Sequence, residues 1–312
     1  MGQLPVGFHR RRFGTGEVGF EAFIWKGAAS GPVLLVNGAT HGDEYEGPTL
    51  LCQWAQDWRP KTLRGTVVMV PVLNEVAFYA GARCRPDDGA NLARSFPGQP
   101  GGTPTQQLAW LFDQHLLSQC THYIDLHSAG GANELDPWAG YIHSVTPAVD
   151  KTQRQMTACF DRFWGWAGPY LPGRTISAAA LRQIPAIYTE CRGAGDVAAR
   201  DLKALDLGLR RVLLLLKLVA GAKPALRKQR LRMTKRADET HLQVHHQAPF
   251  DGVFVPAIDL RQVVRKGQAI GQMLALSGQR AVILAEDSGR VVMRRIQRST
   301  RKGDALAVIA KI

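Results

Sequence analysis

Short apolar runs alternate with amphipathic stretches along the first two thirds of the chain. Residues 32–37 (PVLLVN), 66–74 (TVVMVPVLN), 122–128 (HYIDLHS) and 185–190 (PAIYTE) are rich in branched or aromatic side chains and end in turn residues, which predicts buried strands. Between them, residues 48–58, 103–120 and 196–221 place apolar side chains at helical spacing. The middle stretch opens on Thr103, Pro104 and Gln106: an N-cap, a first-turn proline and the partner of a capping box. The last is predicted to start at Asp196 and stop at Gly221. Strands alternating with helices predict an α/β layered domain.

After GAKP (221–224) the texture changes to short strands separated by glycine turns. Asp251-Gly252-Val253 is echoed by Ser288-Gly289-Arg290-Val291, and Lys266-Gly267 by Lys302-Gly303. The division this predicts is a catalytic domain over 1–222 and a small all-β barrel or sandwich over 223–312. The rhythm is similar to domains that carry biotin or lipoate on a hairpin lysine. Here that turn reads Glu286-Asp287-Ser288-Gly289, with no lysine, which excludes a carrier role.

Composition narrows the class. A chain of 312 residues with 45% hydrophobic content can bury a full core. No apolar run approaches the ~18 residues that span a bilayer, and no long apolar segment follows Arg10, Arg11 and Arg12, so neither a membrane nor a signal peptide is expected. Five cysteines without CxxC spacing fit a reduced, cytoplasmic compartment. Residues 223–312 hold 18 Lys and Arg against 7 Asp and Glu, most of the formal +13. These cations alternate with apolar residues as on the wet face of strands, and no nucleic-acid motif accompanies them, so nucleic acid is not the expected partner.

The candidate chemistry collects at strand ends. His41 and Glu44 follow the first predicted strand as H-x-x-E, a weak motif alone. His127 ends a second strand and Glu190 a third. Ligands of open α/β sheets bind beyond the carboxyl ends of strands, so these residues are expected on one rim. Two histidines and a carboxylate are a zinc set that leaves a position for water. Glu190 can then serve as general base. Asp125 lies on the same strand side as His127 and can orient it. Asp43 and Glu46 are expected in solvent or behind the ligands. The stretch 81–105 has little periodicity and carries Arg83, Arg85 and Arg94, any of which can stabilise an oxyanion or hold a carboxylate. Trp164 and Trp166 can line a pocket or fill a core.

GATHGDEYEG (38–47), LNEVAFYAGARCRPDDGANLARSFPG (73–98), IDLHSAG (124–130) and YTECRG (188–193) together resemble the successive motifs of the succinylglutamate desuccinylase/aspartoacylase family, relatives of zinc carboxypeptidases. The resemblance implies a mixed sheet flanked by helices, an appended β-domain and one Zn²⁺ per subunit. It implies His41, Glu44 and His127 as zinc ligands, Glu190 as base and later proton donor, Arg83 at the oxyanion and Arg94 on a substrate carboxylate. The family's Asp-Leu-Asn-Arg reads Asn91-Leu92-Ala93-Arg94 here, and Ala93 has no side-chain donor. The expected function is zinc-dependent hydrolysis of a small N-acyl amino acid or related amide. A carboxypeptidase-like peptidase is the competing enzyme, and a non-catalytic anion- or nucleic-acid-binding protein the competing class. The acyl group, the amine and homo-oligomer formation stay open.

Overall fold

The computed structural model describes residues 4–226, 231–233 and 245–311. Its first strands are β1 (Gly7–Thr15), β2 (Val18–Lys26), β3 (Ala29–Gly38), β4 (Arg64–Val70) and β5 (His122–Ser128). They are followed by β6 (Asn133–Leu135), β7 (Trp138–Ile142), β8 (Trp164–Gly168), β9 (Ala186–Cys191) and β10 (Leu231–Met233). All except β6 join one sheet in the order β1-β2-β4-β3-β5-β9-β7-β8-β10. Strands β4, β3, β5 and β9 are parallel, whereas β2 pairs antiparallel with β4 and β7 antiparallel with β9. The sheet is therefore mixed, as the resemblance implies.

Helices cover both faces: α1 (Glu46–Asp57), α2 (Glu75–Tyr79), α3 (Pro104–His115), α4 (Pro147–Ala158), α5 (Thr175–Leu181) and α6 (Ala199–Leu215). Strand alternation sorts the core into two layers. Leu34, Val36, Val67, Met69, Ile124 and Leu126 pack with α1, α4 and α6 through Leu51, Met156 and Leu205. Leu35, Val68, Val70 and Tyr123 pack with α3 and α5 through Leu108, Phe112 and Ile176. The register sets Asn37 beside Asp125 and His127 beside Glu190, so β3, β5 and β9 end level with one another.

Several boundaries differ from the sequence expectation. The capping box of α3 forms through Thr103 and Gln106, but the helix stops at His115 and a 3₁₀ turn, Leu117–Gln119, completes the stretch. Helix α6 begins at Ala199, not Asp196, whose carboxylate accepts from the Val197 amide instead. It ends well before Gly221, because Lys217 adopts the left-handed conformation (φ 57°) and the Leu218 amide bonds the Leu213 carbonyl. Strand β1 carries no clear hydrophobic alternation, since it is mostly exposed on both faces. No helix among the described residues is long and apolar enough to cross a membrane.

The C-terminal strands are β11 (Gly252–Pro256), β12 (Val263–Val264), β13 (Ala269–Leu274), β14 (Arg280–Leu284), β15 (Gly289–Arg295), β16 (Ser299–Thr300) and β17 (Ala307–Ala310). They form two small sheets, β14-β13-β11-β16 and β12-β15-β17. Their interior is filled by Phe254, Met273 and Leu306 at one end and Val264, Ile270, Val291 and Ile309 at the other. Strand β6 leaves the large sheet and pairs with β15, setting Leu135 opposite Met293 and Asn133 opposite Arg295. Glu134 then bridges Arg192 at 2.8 Å and Arg294 at 2.5 Å, and Asp136 holds Arg261 at 2.7 Å. These contacts seat the C-terminal unit over the sheet rim.

Candidate active site

Strand β3 delivers the chain to the rim at Gly38. The turn that follows is made by Ala39, at φ 48°, rather than by its glycine neighbours. Those glycines serve close approach instead. A Cβ on Gly42 would lie 2.0 Å from the Ala77 carbonyl carbon, and one on Gly38 would lie 2.8 Å from Pro48 N. This packing pins His41 and Glu44 in place, both nearly fully buried.

Glu44 reaches both histidines. Its Oε1 lies 2.7 Å from His41 Nδ1 and its Oε2 lies 2.8 Å from His127 Nδ1. The Ser128 amide also donates to Oε2 at 3.2 Å. Each ring is oriented from behind. His127 Nε2 lies 2.9 Å from Asp125 Oδ2, and His41 Nε2 lies 3.1 Å from Asn91 Oδ1. The Asn91 oxygen also accepts from the Ala93 amide at 2.9 Å, which fixes its role as acceptor. An Nε2–H on each ring leaves an Nδ1 lone pair facing the carboxylate. Two lone pairs aimed at carboxylate oxygens repel unless a proton or a metal ion sits between them. One donor atom from each of His41, Glu44 and His127 falls within 4.8 Å of the others. The donor set and the outer acceptors fit a metal ion.

Electrostatics sharpen the roles. Burial, then the Arg83 charge, pushes His41 down to about 4, so it is neutral near pH 7. Burial opposes a charge on His127, but Asp125 and Glu44 outweigh it and hold its value well above the ordinary one. For Glu44, burial opposes ionisation, but both histidines hold it well below the usual carboxylate range. Glu190 is pushed up to about 8, by burial first, with His127 and Arg83 opposing and Glu44 adding to the shift.

The cavity above these residues measures about 700 Å³, within the usual range of small-molecule sites. Arg83, Arg94 and Glu190 all line it. Arg83 Nη1 lies 3.4 Å from Glu44 Oε1. Burial, followed by Arg174 and Arg83, lowers Arg94 to about 10. Neither Arg94 nor Arg174 pairs with a carboxylate among the described residues, and Arg174 Nε is buried without a partner. Gly173 brings the two together: the Phe96 amide bonds its carbonyl at 3.0 Å, and a Cβ there would lie 2.5 Å from Arg94 O.

Other expectations resolve differently. Arg85 is buried away from the cavity, held by Asp87 at 2.6 Å and by the Glu17 carbonyl. Asp43 and Glu46 are not solvated. They accept from the Gly131 and Gly193 amides at 3.0 and 2.9 Å, tying the loops after β5 and β9 to the loop after β3. Trp166 is core, and Trp164 bonds Asp136 beneath Arg290. The apolar side of the cavity comes instead from Trp138, Tyr188 and Ile176, with Leu135 and Met293 at the β6–β15 junction. Arg174 went unread because PYLPGRT has no periodicity. The glycine immediately before it was the available signal.

A rim of this kind, with a candidate His-Glu-His metal centre under an arginine-lined cavity, has the make-up of a metal-dependent hydrolase. The succinylglutamate desuccinylase/aspartoacylase catalytic domain matches residues 30–216. The chain is 30% identical over 293 residues to the N-alpha-acetyl-L-2,4-diaminobutyric acid deacetylase of Halomonas elongata, covering 90% of this chain and 83% of that protein. Its fold is similar to the product-bound ectoine utilization protein EutE (DoeB) of Ruegeria pomeroyi: TM-score 0.88, 27% identity, 99% of this chain and 98% of that one. A succinylglutamate desuccinylase/aspartoacylase of Rhodobacter sphaeroides gives a TM-score of 0.83 at 27% identity, over 98% and 95% of the two chains. The chain belongs to the succinylglutamate desuccinylase/aspartoacylase family.

Proposed function

We propose that this chain is a zinc-dependent deacetylase of an N-acetyl diamino acid, of the kind named for its Halomonas relative, N-α-acetyl-2,4-diaminobutyrate. The observation that carries the reading is the arginine pair. Among the described residues neither Arg94 nor Arg174 has a carboxylate partner, and a substrate carboxylate is the anion that answers them. Arg174 supplies the second donor that Ala93 cannot. His41, Glu44 and His127 are the ligands of the metal. A zinc ion bound there would supply Lewis-acid chemistry, lowering the pKa of a water molecule and polarising the acyl carbonyl.

The chain's own groups do the rest. Glu190 takes a proton from the attacking water and returns it to the leaving amine. Arg83 donates to the oxygen that gains negative charge on the acyl carbon. Asp125 and Asn91 hold the two imidazoles with their Nδ1 atoms inward. The products are acetate and a free amino acid.

A peptidase needs room for a chain on both sides of the scissile bond. Here Met293, Arg295 and Asp304 of the C-terminal unit form a wall of the cavity, which favours a small substrate. The test is a rate comparison of the zinc-loaded protein on N-α-acetyl-2,4-diaminobutyrate, N-acetylaspartate, N-succinylglutamate and a short peptide. Fastest turnover of the first supports the reading. Turnover of the peptide alone removes it.

A further inference from the structure

The cavity wall contributed by the C-terminal unit carries one acid, Asp304. It sits in the turn Arg301–Asp304, where its own amide bonds the Arg301 carbonyl at 3.0 Å. One carboxylate oxygen, Oδ2, is committed: it accepts from Arg295 Nη2 at 2.9 Å and from the Arg301 amide at 2.9 Å. Arg295 is itself fixed by the carbonyls of Gln297 and Ser299, both at 3.1 Å. The other oxygen, Oδ1, has no partner among the described residues, and the side chain is 34% exposed. Two donors thus hold the carboxylate in one orientation and leave half of its acceptor capacity free.

The remaining acids of the cavity belong to the opposite, metal-side wall. Glu44 and Asp125 are engaged by the histidines and their neighbours. Asp43 gives one oxygen to the Gly131 amide, and its other oxygen is buried without a partner on the metal-side wall. Glu190 stands at the rim as the base. The metal-side wall also carries Arg83, beside Glu44, and Arg94 and Arg174, which have no carboxylate partner among the described residues. A cationic group on a substrate is repelled there.

We propose that Asp304 is the residue that selects a substrate with a cationic side chain, its free Oδ1 accepting a hydrogen bond from the distal ammonium while Arg94 and Arg174 hold the carboxylate. This rests on the diamino-acid reading above. The C-terminal unit then does more than close the cavity: it reads the end of the side chain. The preformed orientation matters, because an acceptor fixed before binding loses little freedom when the ammonium arrives.

The test compares two substrates of equal carbon skeleton, N-α-acetyl-2,4-diaminobutyrate and N-acetyl-2-aminobutyrate, which lacks the amine. Both are assayed with the zinc-loaded full chain and with Asp304→Asn, which keeps an acceptor for Arg295 and the Arg301 amide. The readout is the ratio of kcat/KM values, so a general loss of folded enzyme cancels. The parent protein is expected to favour the diamine, and Asp304→Asn to lower that preference about 10- to 100-fold. A variant that keeps the full preference overturns the role of Asp304 and leaves the diamino-acid reading intact. A parent protein with no preference for the amine overturns both.

Discussion

His127 Nε2 lies 2.9 Å from Asp125 Oδ2, so the ring that offers its Nδ1 to the metal centre is held from behind by a fully buried carboxylate. Asp125 also accepts from Asn37, Thr40 and Thr175. Its orientation is therefore fixed independently of the histidine. Asp125→Asn is expected to keep the fold while weakening metal affinity roughly 10- to 100-fold. Chelator competition measures this directly, and an unchanged affinity removes Asp125 from the centre.

Glu190 has the opposite character: no fixed partner and a raised pKa. Glu190→Gln is expected to retain stoichiometric metal and lose about 10²- to 10⁴-fold in kcat. A variant with full turnover would show that the base lies elsewhere.

The pH dependence follows from the same side chain. The base works as the carboxylate, and burial pushes its value up to about 8. A bound cation favours the charged form, so the working value lies below this. The rate is expected to rise with pH through that value and to fall as protonation spreads below it. Glu190→Gln should flatten this limb, which a kcat profile between pH 5 and 9 reads out.

The arginine pair predicts a split between binding and chemistry. Arg94→Ala and Arg174→Ala are each expected to raise KM about 10- to 100-fold, with smaller changes in kcat. Arg94→Lys should restore only part, because an ammonium cannot match the two-pronged geometry of a guanidinium. Equal losses in kcat and kcat/KM would place these residues in the chemical step instead.

Gly42 tests how the ligand loop is built. Gly42→Ala sets a methyl carbon 2.0 Å from the Ala77 backbone, so one of the two segments must move. The expected cost is about 1–3 kcal/mol or more, seen as a lower Tm together with reduced metal content. A variant that keeps both would mean that α2 shifts without disturbing His41.

Much of this site was legible because parallel strands leave a plain trace. The runs 32–37, 122–128 and 185–190 each end in a polar or charged residue, and parallel pairing brings those ends together. His41, Glu44, His127 and Glu190 follow from that rule, and the ordered motifs give the family. For Asp43 and Glu46 the sequence left solvent and a place behind the ligands open, because a carboxylate that stitches loop backbones has the same sequence signature as a solvated one. Arg174 and Asp304 lie in turns, where no periodicity marks direction. Strand β6 is three residues long, too short to announce itself. The end of α6 depends on Lys217 taking a left-handed conformation that its residue type does not advertise.

The pairing of β6 with β15 bears on how this enzyme can be recombined with its relatives. Asn133, Glu134 and Leu135 precede β9 in the chain, yet they complete a sheet of the C-terminal unit, whose strands run from Gly252 onward. A chimaera cut only between β10 and β11 would join a foreign β15 to the resident β6 and separate Glu134 from Arg294. Any exchange of substrate preference between relatives therefore needs a two-segment graft, with residues 133–136 travelling alongside the C-terminal strands.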